Sequence, residues 1–123
     1  MVDCTDKPRI VGKIDQRIID LLELSIPVDT PIFLGKTNID HMHKEHPEDY
    51  KKYFSELGNI IASPDYVTKH PKKDSIEYIK VFDGYVLVAV RISNKGKLFA
   101  KTIFKMSNEK IEKYQKKNVL KKY

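Results

Sequence analysis

Tyr85-Val-Leu-Val-Ala-Val-Arg-Ile92 decides the fold class. It holds no helix breaker and is heavily β-branched, so it reads as the best strand in the chain. Asp83-Gly84 just before it is a two-residue hairpin signal leading back to a strand over 75–82. Asn94-Lys-Gly96 just after it turns the chain into a last strand over 97–104. A three-residue loop there sets Ser93 opposite Lys97, Arg91 opposite Phe99 and Ala89 opposite Lys101. Because side chains alternate, Val86, Val88, Val90, Ile92, Leu98, Ala100, Thr102 and Phe104 are expected on one apolar face against helices. Tyr85, Arg91, Ser93, Lys97, Phe99 and Lys101 are expected on the other, open face. Its cations, hydroxyl and rings suit a phosphodiester with stacked bases, and equally an ordinary wet sheet face. In this register Thr102 points inward, and only a one-residue bulge would expose it.

Working outward, residues 8–14 are short, β-branched and bounded by Pro8, which suits an edge strand. Asp15 can cap a helix carrying Ile18, Ile19, Leu21 and Leu22. A short extended piece over 30–35 closes at Gly35. Then comes Thr37-Asn-Ile-Asp-His-Met-His-Lys-Glu-His-Pro-Glu-Asp-Tyr50. Thr37 with Asp40 resembles a capping box, and Pro47 both ends that helix and suits the first position of the next. Tyr50, Tyr53, Phe54, Leu57, Ile60 and Ile61 continue as one amphipathic stretch, stopped at Ser63-Pro64-Asp65. Residues 66–70 form a weak strand, and Ser107 caps a lysine-rich terminal helix. The expected fold is α+β: one domain over 1–123, an N-terminal strand and helices packed on a three- to four-stranded antiparallel meander.

Charge is unevenly spread. Residues 1–100 hold 15 basic and 15 acidic side chains, and residues 101–123 hold eight lysines against two glutamates, which is the whole +6 excess. Such an end invites a polyanion, or merely keeps the chain in solution. No apolar run nears the roughly 20 residues a bilayer needs, and the start lacks a signal-peptide pattern, so a cytoplasmic protein is expected. Cys4 is the single cysteine, expected to be inert, and rules out an internal disulfide. No two glycines lie within ten residues of each other, which argues against phosphate loops and nucleotide use.

Three of the four histidines, His41, His43 and His46, crowd the helix–helix corner. Imidazole alone titrates near neutrality unperturbed, so two of them with a cation suffice for acid–base cleavage of RNA, whose 2′-hydroxyl is the nucleophile. His43 and His46 share a helix face, but His41 lies about 140 degrees from His46, too far round to complete a zinc set. No metal or other cofactor is therefore expected. Surface or helix-end histidines remain the plain reading of the same cluster. Glu77 and Lys80 are either catalytic or ordinary cross-strand partners.

Taken together, Ile10-Val-Gly-Lys-Ile14, Asn38-Ile-Asp-His41, His46-Pro-Glu-Asp-Tyr50, Ile61-Ala-Ser-Pro-Asp-Tyr66, Ser75-Ile-Glu-Tyr-Ile-Lys80 and residues 86–102 resemble one family. It is the phage-associated branch of the barnase–EndoU–colicin–RelE-like (BECR) nucleases. The resemblance implies a small, metal-independent endoribonuclease of prophage or toxin type. Its partners would be RNA (tRNA or mRNA) and an antitoxin or immunity protein, with no membrane. His41 and His46 match the family's helix histidines, and Lys101-Thr102 matches a basic-residue–Thr pair in which arginine is the commoner residue. Lysine keeps the charge there but loses the bidentate fork. His43 has no counterpart. The resulting catalytic set is His41, His46, Arg91, Lys101 and Thr102, with Lys80, Ser93 and Lys97 binding substrate. The alternative is a non-catalytic RNA- or protein-binding module on the same scaffold.

Overall fold

In the computed structural model, residues 8–70 and 72–123 are described; Cys4 lies outside them. The chain runs β1 (Arg9–Lys13), α1 (Gln16–Leu22), β2 (Pro31–Leu34), α2 (Lys36–Glu45), α3 (Pro47–Tyr53), a 3-10 turn (Phe54–Glu56) and α4 (Leu57–Ala62). It continues β3 (Tyr66–Lys69), β4 (Ser75–Val81), β5 (Tyr85–Ile92), β6 (Leu98–Lys105), α5 (Asn108–Lys117) and β7 (Lys121–Lys122). All seven strands join one sheet, in the order β1-β2-β6-β5-β4-β3-β7, rather than the three or four expected. The extra members are short and pair with partners far along the chain. Pro31–Leu34 runs parallel to the start of β6 through Ile32 and Phe33, a pairing no local pattern reports.

Local chemistry explains most boundaries. Asp15 accepts the Ile18 N–H at 2.8 Å and starts α1. The expected Thr37 cap on α2 is replaced by Gly35, whose N–H donates to the Asn38 side chain at 2.9 Å, so Thr37 sits inside the first turn. Pro47 takes the first position of α3, and the single amphipathic stretch expected beyond it is broken by the 3-10 turn. At the β4–β5 connection Val81 pairs with Tyr85, and neither Asp83 nor Gly84 has a positive φ. The two-residue primed turn is therefore not formed. Asp83 is tied instead to Lys52 and the Tyr53 hydroxyl, each at 2.6 Å, and those bonds hold its carboxyl well below the usual carboxylate range. Gly96 does adopt φ +78° in the next turn, where Ser93 N–H donates to Lys97 O.

The register follows expectation from Ile92 opposite Leu98 as far as Val90 opposite Ala100, then shifts. Ala89 faces Thr102, not Lys101, because Lys101 is the extra residue of a β-bulge. Beyond it the faces exchange: Ile103 joins Val86, Val88 and Val90 in the core beneath the helices. Phe104, expected in that core, packs on the opposite side. That second side is not open along its length, for Ile79, Leu87, Ala89 and Met106 form a smaller core with Ile111, Tyr114 and Leu120 from α5 and the segment after it. No helix among the described residues is long and apolar enough to cross a membrane.

Candidate active site

β2 pairs with β6 only at Leu98 and Phe99, so the later part of β6 lacks a neighbouring strand on that edge. The α2–α3 corner fills the place, with Asp49 accepting the Lys105 N–H at 3.1 Å. Two of its histidines, His41 and His46, thereby meet the face that the bulge has turned outward. His46, whose backbone ends α2 and opens α3, stacks on Phe104 with ring centres 4.9 Å apart. His41, one turn back, sits 3.2 Å from the Glu45 carboxylate through Nε2.

A groove of about 310 Å³ runs between this corner, β6 and the far strands. It is lined by His41, His46, Lys101 and Thr102, four residues that the sequence reading chose. The bulge is what lets consecutive residues Lys101 and Thr102 both reach it. Thr102 Oγ1 is shut off from solvent and has no hydrogen-bond partner among the described residues. A second hollow of about 410 Å³ shares His41 and Lys101 and adds Arg91, Ser93 and Phe99. The two adjoin at the shared pair.

Two chosen residues are not brought to either hollow. Lys80 lies opposite Val86, hence on the helix side of the sheet, and donates to the Ser63 carbonyl at 2.7 Å. Lys97 is exposed in the β5–β6 turn, with its backbone N–H on Ser93 Oγ. His43 turns the other way, edge-on against Tyr50 at 5.1 Å, and lines neither hollow.

Sequence reasoning missed His70 and left Glu77 undecided. Both line the main groove. Thr68 faces Glu77 across β3–β4, so His70, two residues past Thr68, projects to the same side. That alternation was the available signal. His70 Nδ1 accepts the backbone N–H groups of Lys72 and Lys73 at 3.1 and 3.2 Å, so the neutral ring carries its proton on Nε2. Glu77 is 5% exposed and pairs with no cation among the described residues. It accepts instead from the Tyr114 hydroxyl at 2.7 Å. Burial first, then that bond, pushes the Tyr114 phenol up.

Among the described residues no group of three or more His, Cys, Asp or Glu is placed to hold a metal ion. The groove offers imidazoles for proton transfer, cations for a phosphate, and hydroxyl donors. In comparison with known proteins, residues 9–113 match the family described as phage-Barnase-EndoU-ColicinE5/D-RelE like nuclease 3. No curated protein and no solved structure matches the chain.

Proposed function

Because the chain belongs to the phage-Barnase-EndoU-ColicinE5/D-RelE like nuclease 3 family, we propose that it is a metal-independent endoribonuclease. The RNA 2′-oxygen bonds to the adjacent phosphorus while the bond from phosphorus to the 5′-oxygen breaks. One imidazole takes the 2′-hydroxyl proton, another gives a proton to the departing 5′-oxygen, and a 2′,3′-cyclic phosphate remains. His41 and His46 fill these two roles. Lys101 and Arg91 balance the charge that develops on phosphorus-bound oxygens, and Thr102 or Ser93 donates to one of them.

What carries the reading is the meeting of His41, His46, Lys101 and the unpartnered Thr102 hydroxyl along one groove. Burying an orphaned hydroxyl costs free energy, and turning the Thr102 side chain toward the groove would relieve it by giving Oγ1 a phosphate oxygen as acceptor. The substrate supplies its own nucleophile, so neither a metal hydroxide nor an activated serine is needed. The phage association in the family's description supports a prophage setting; a toxin role, tRNA or mRNA as target and an antitoxin or immunity protein as partner complete the proposal.

The test is mutational. His41→Ala and His46→Ala should each lower RNA cleavage about 10²-fold or more, the range for a lost general acid or base. The double variant should be far less than multiplicatively worse. His43→Ala, which lies outside the groove, should stay near wild type. If His41 and His46 prove dispensable while RNA still binds, the protein is a binding module.

A further inference from the structure

Beside the histidine groove, beneath α5, lies a larger hollow of about 580 Å³. It adjoins the histidine groove, since His70, Glu77 and Lys110 line both. Its wall on the helix side is set by the α-helical repeat. Lys110, Lys113 and Lys117 fall within about 60 degrees of one another around α5. That arc faces the cavity because Tyr114, beside it, is drawn down onto Glu77 at 2.7 Å. Lys72 closes the opposite rim.

Lys113 and Lys117 are exposed, as Lys116 is, and Lys110 is half-buried, so it is their placement and not their burial that sets them apart. Here three share the one arc that overlooks a concave surface, and Lys116 is left outside it. Four lysines meet two acids in this cavity, and one of those acids, Glu77, is already engaged by Tyr114. Lys110 also sits over the rings of Phe104 and Tyr114, at 5.0 and 5.7 Å, so cation and aromatic surface alternate from one hollow into the next. Alternating charge and ring is the pattern that tracks a single-stranded backbone with its bases stacked.

We propose that the α5 cavity holds the single-stranded RNA that flanks the scissile phosphate, which enters through the histidine groove. The inference rests on the ribonuclease reading. It makes the enzyme dependent on substrate length, with phosphates beyond the cleaved one gripped by Lys113 and Lys117. It also makes the basic terminal segment part of the folded body, not a detachable arm. Ile111, Tyr114 and Leu120 belong to the second core, and β7 pairs with β3.

The test uses a mixed-sequence oligoribonucleotide carrying 2′-O-methyl groups, which binds but has no nucleophile. Its affinity is measured against salt concentration for wild type, for Lys113→Gln with Lys117→Gln, and for Lys116→Gln. Two lost phosphate contacts should lower the slope of log affinity against log salt by about 1.4, at about 0.7 per contact for single strands. Lys116→Gln should leave the slope near wild type, and thermal melting checks that each variant is folded. An equal fall for Lys116→Gln, or no fall for the double variant, overturns the inference while wild-type cleavage of unmodified RNA stands. A fall confined to the double variant, in a protein that cleaves no RNA, sinks the nuclease reading and upholds the cavity. Competition by polyglutamate as strong as by RNA would overturn it in favour of an acidic protein partner.

Discussion

Thr102→Val should raise stability and lower activity together, a combination few core substitutions give. Thr102 Oγ1 is buried without a partner. An unsatisfied buried hydroxyl costs about 1–3 kcal/mol, and valine keeps the branched shape without the polar atom. The variant should therefore gain about 1 kcal/mol or more, which for a chain of this size raises Tm by roughly 4 °C. A hydrogen bond to a charged group contributes about 1.5–3 kcal/mol, so losing a donor to the phosphate should lower kcat/KM about ten- to a hundredfold. Thermal melting and cleavage of a fluorescent RNA read the two effects on one preparation. A lower Tm would mean that the hydroxyl has a structural partner in solution. A raised Tm with unaltered kcat/KM would remove Thr102 from the site.

Cleavage should survive excess EDTA, because imidazoles, Lys101, Arg91 and a hydroxyl perform every step; full loss with recovery on adding zinc or manganese would refute that mechanism. Alkaline stability offers a separate check on the fold. Burial and the bond to Asp15 push the Tyr123 phenol up to about 12. A group whose folded pKa is raised contributes stability present below its ordinary value of about 10 and lost as pH climbs toward about 12. The difference in urea midpoint between wild type and Tyr123→Phe should therefore narrow across that interval, and parallel curves would contradict it.

Tyr85–Ile92, the Gly96 turn, the Asp15 cap and Pro47 at the start of α3 were legible because each depends on residues within a few positions of one another. His41, His46, Lys101 and Thr102 were grouped through resemblance in order and spacing, and the fold brings them to one groove. The bulge was legible only as a condition: alternation alone pointed Thr102 inward, and the register shift at Lys101 depends on how β6 meets β5 and the α2–α3 corner. Its consequence reaches far, since it also moves Phe104 under His46 and Ile103 into the helix-side core. His70 and Glu77 entered the groove through β3–β4 pairing, and Lys80 left it by falling on the other face of the same strand. Local spacing determines which side chains share an edge or an arc. Which edges and arcs meet across the sheet is settled by packing between segments distant in the chain, and the groove exists only there.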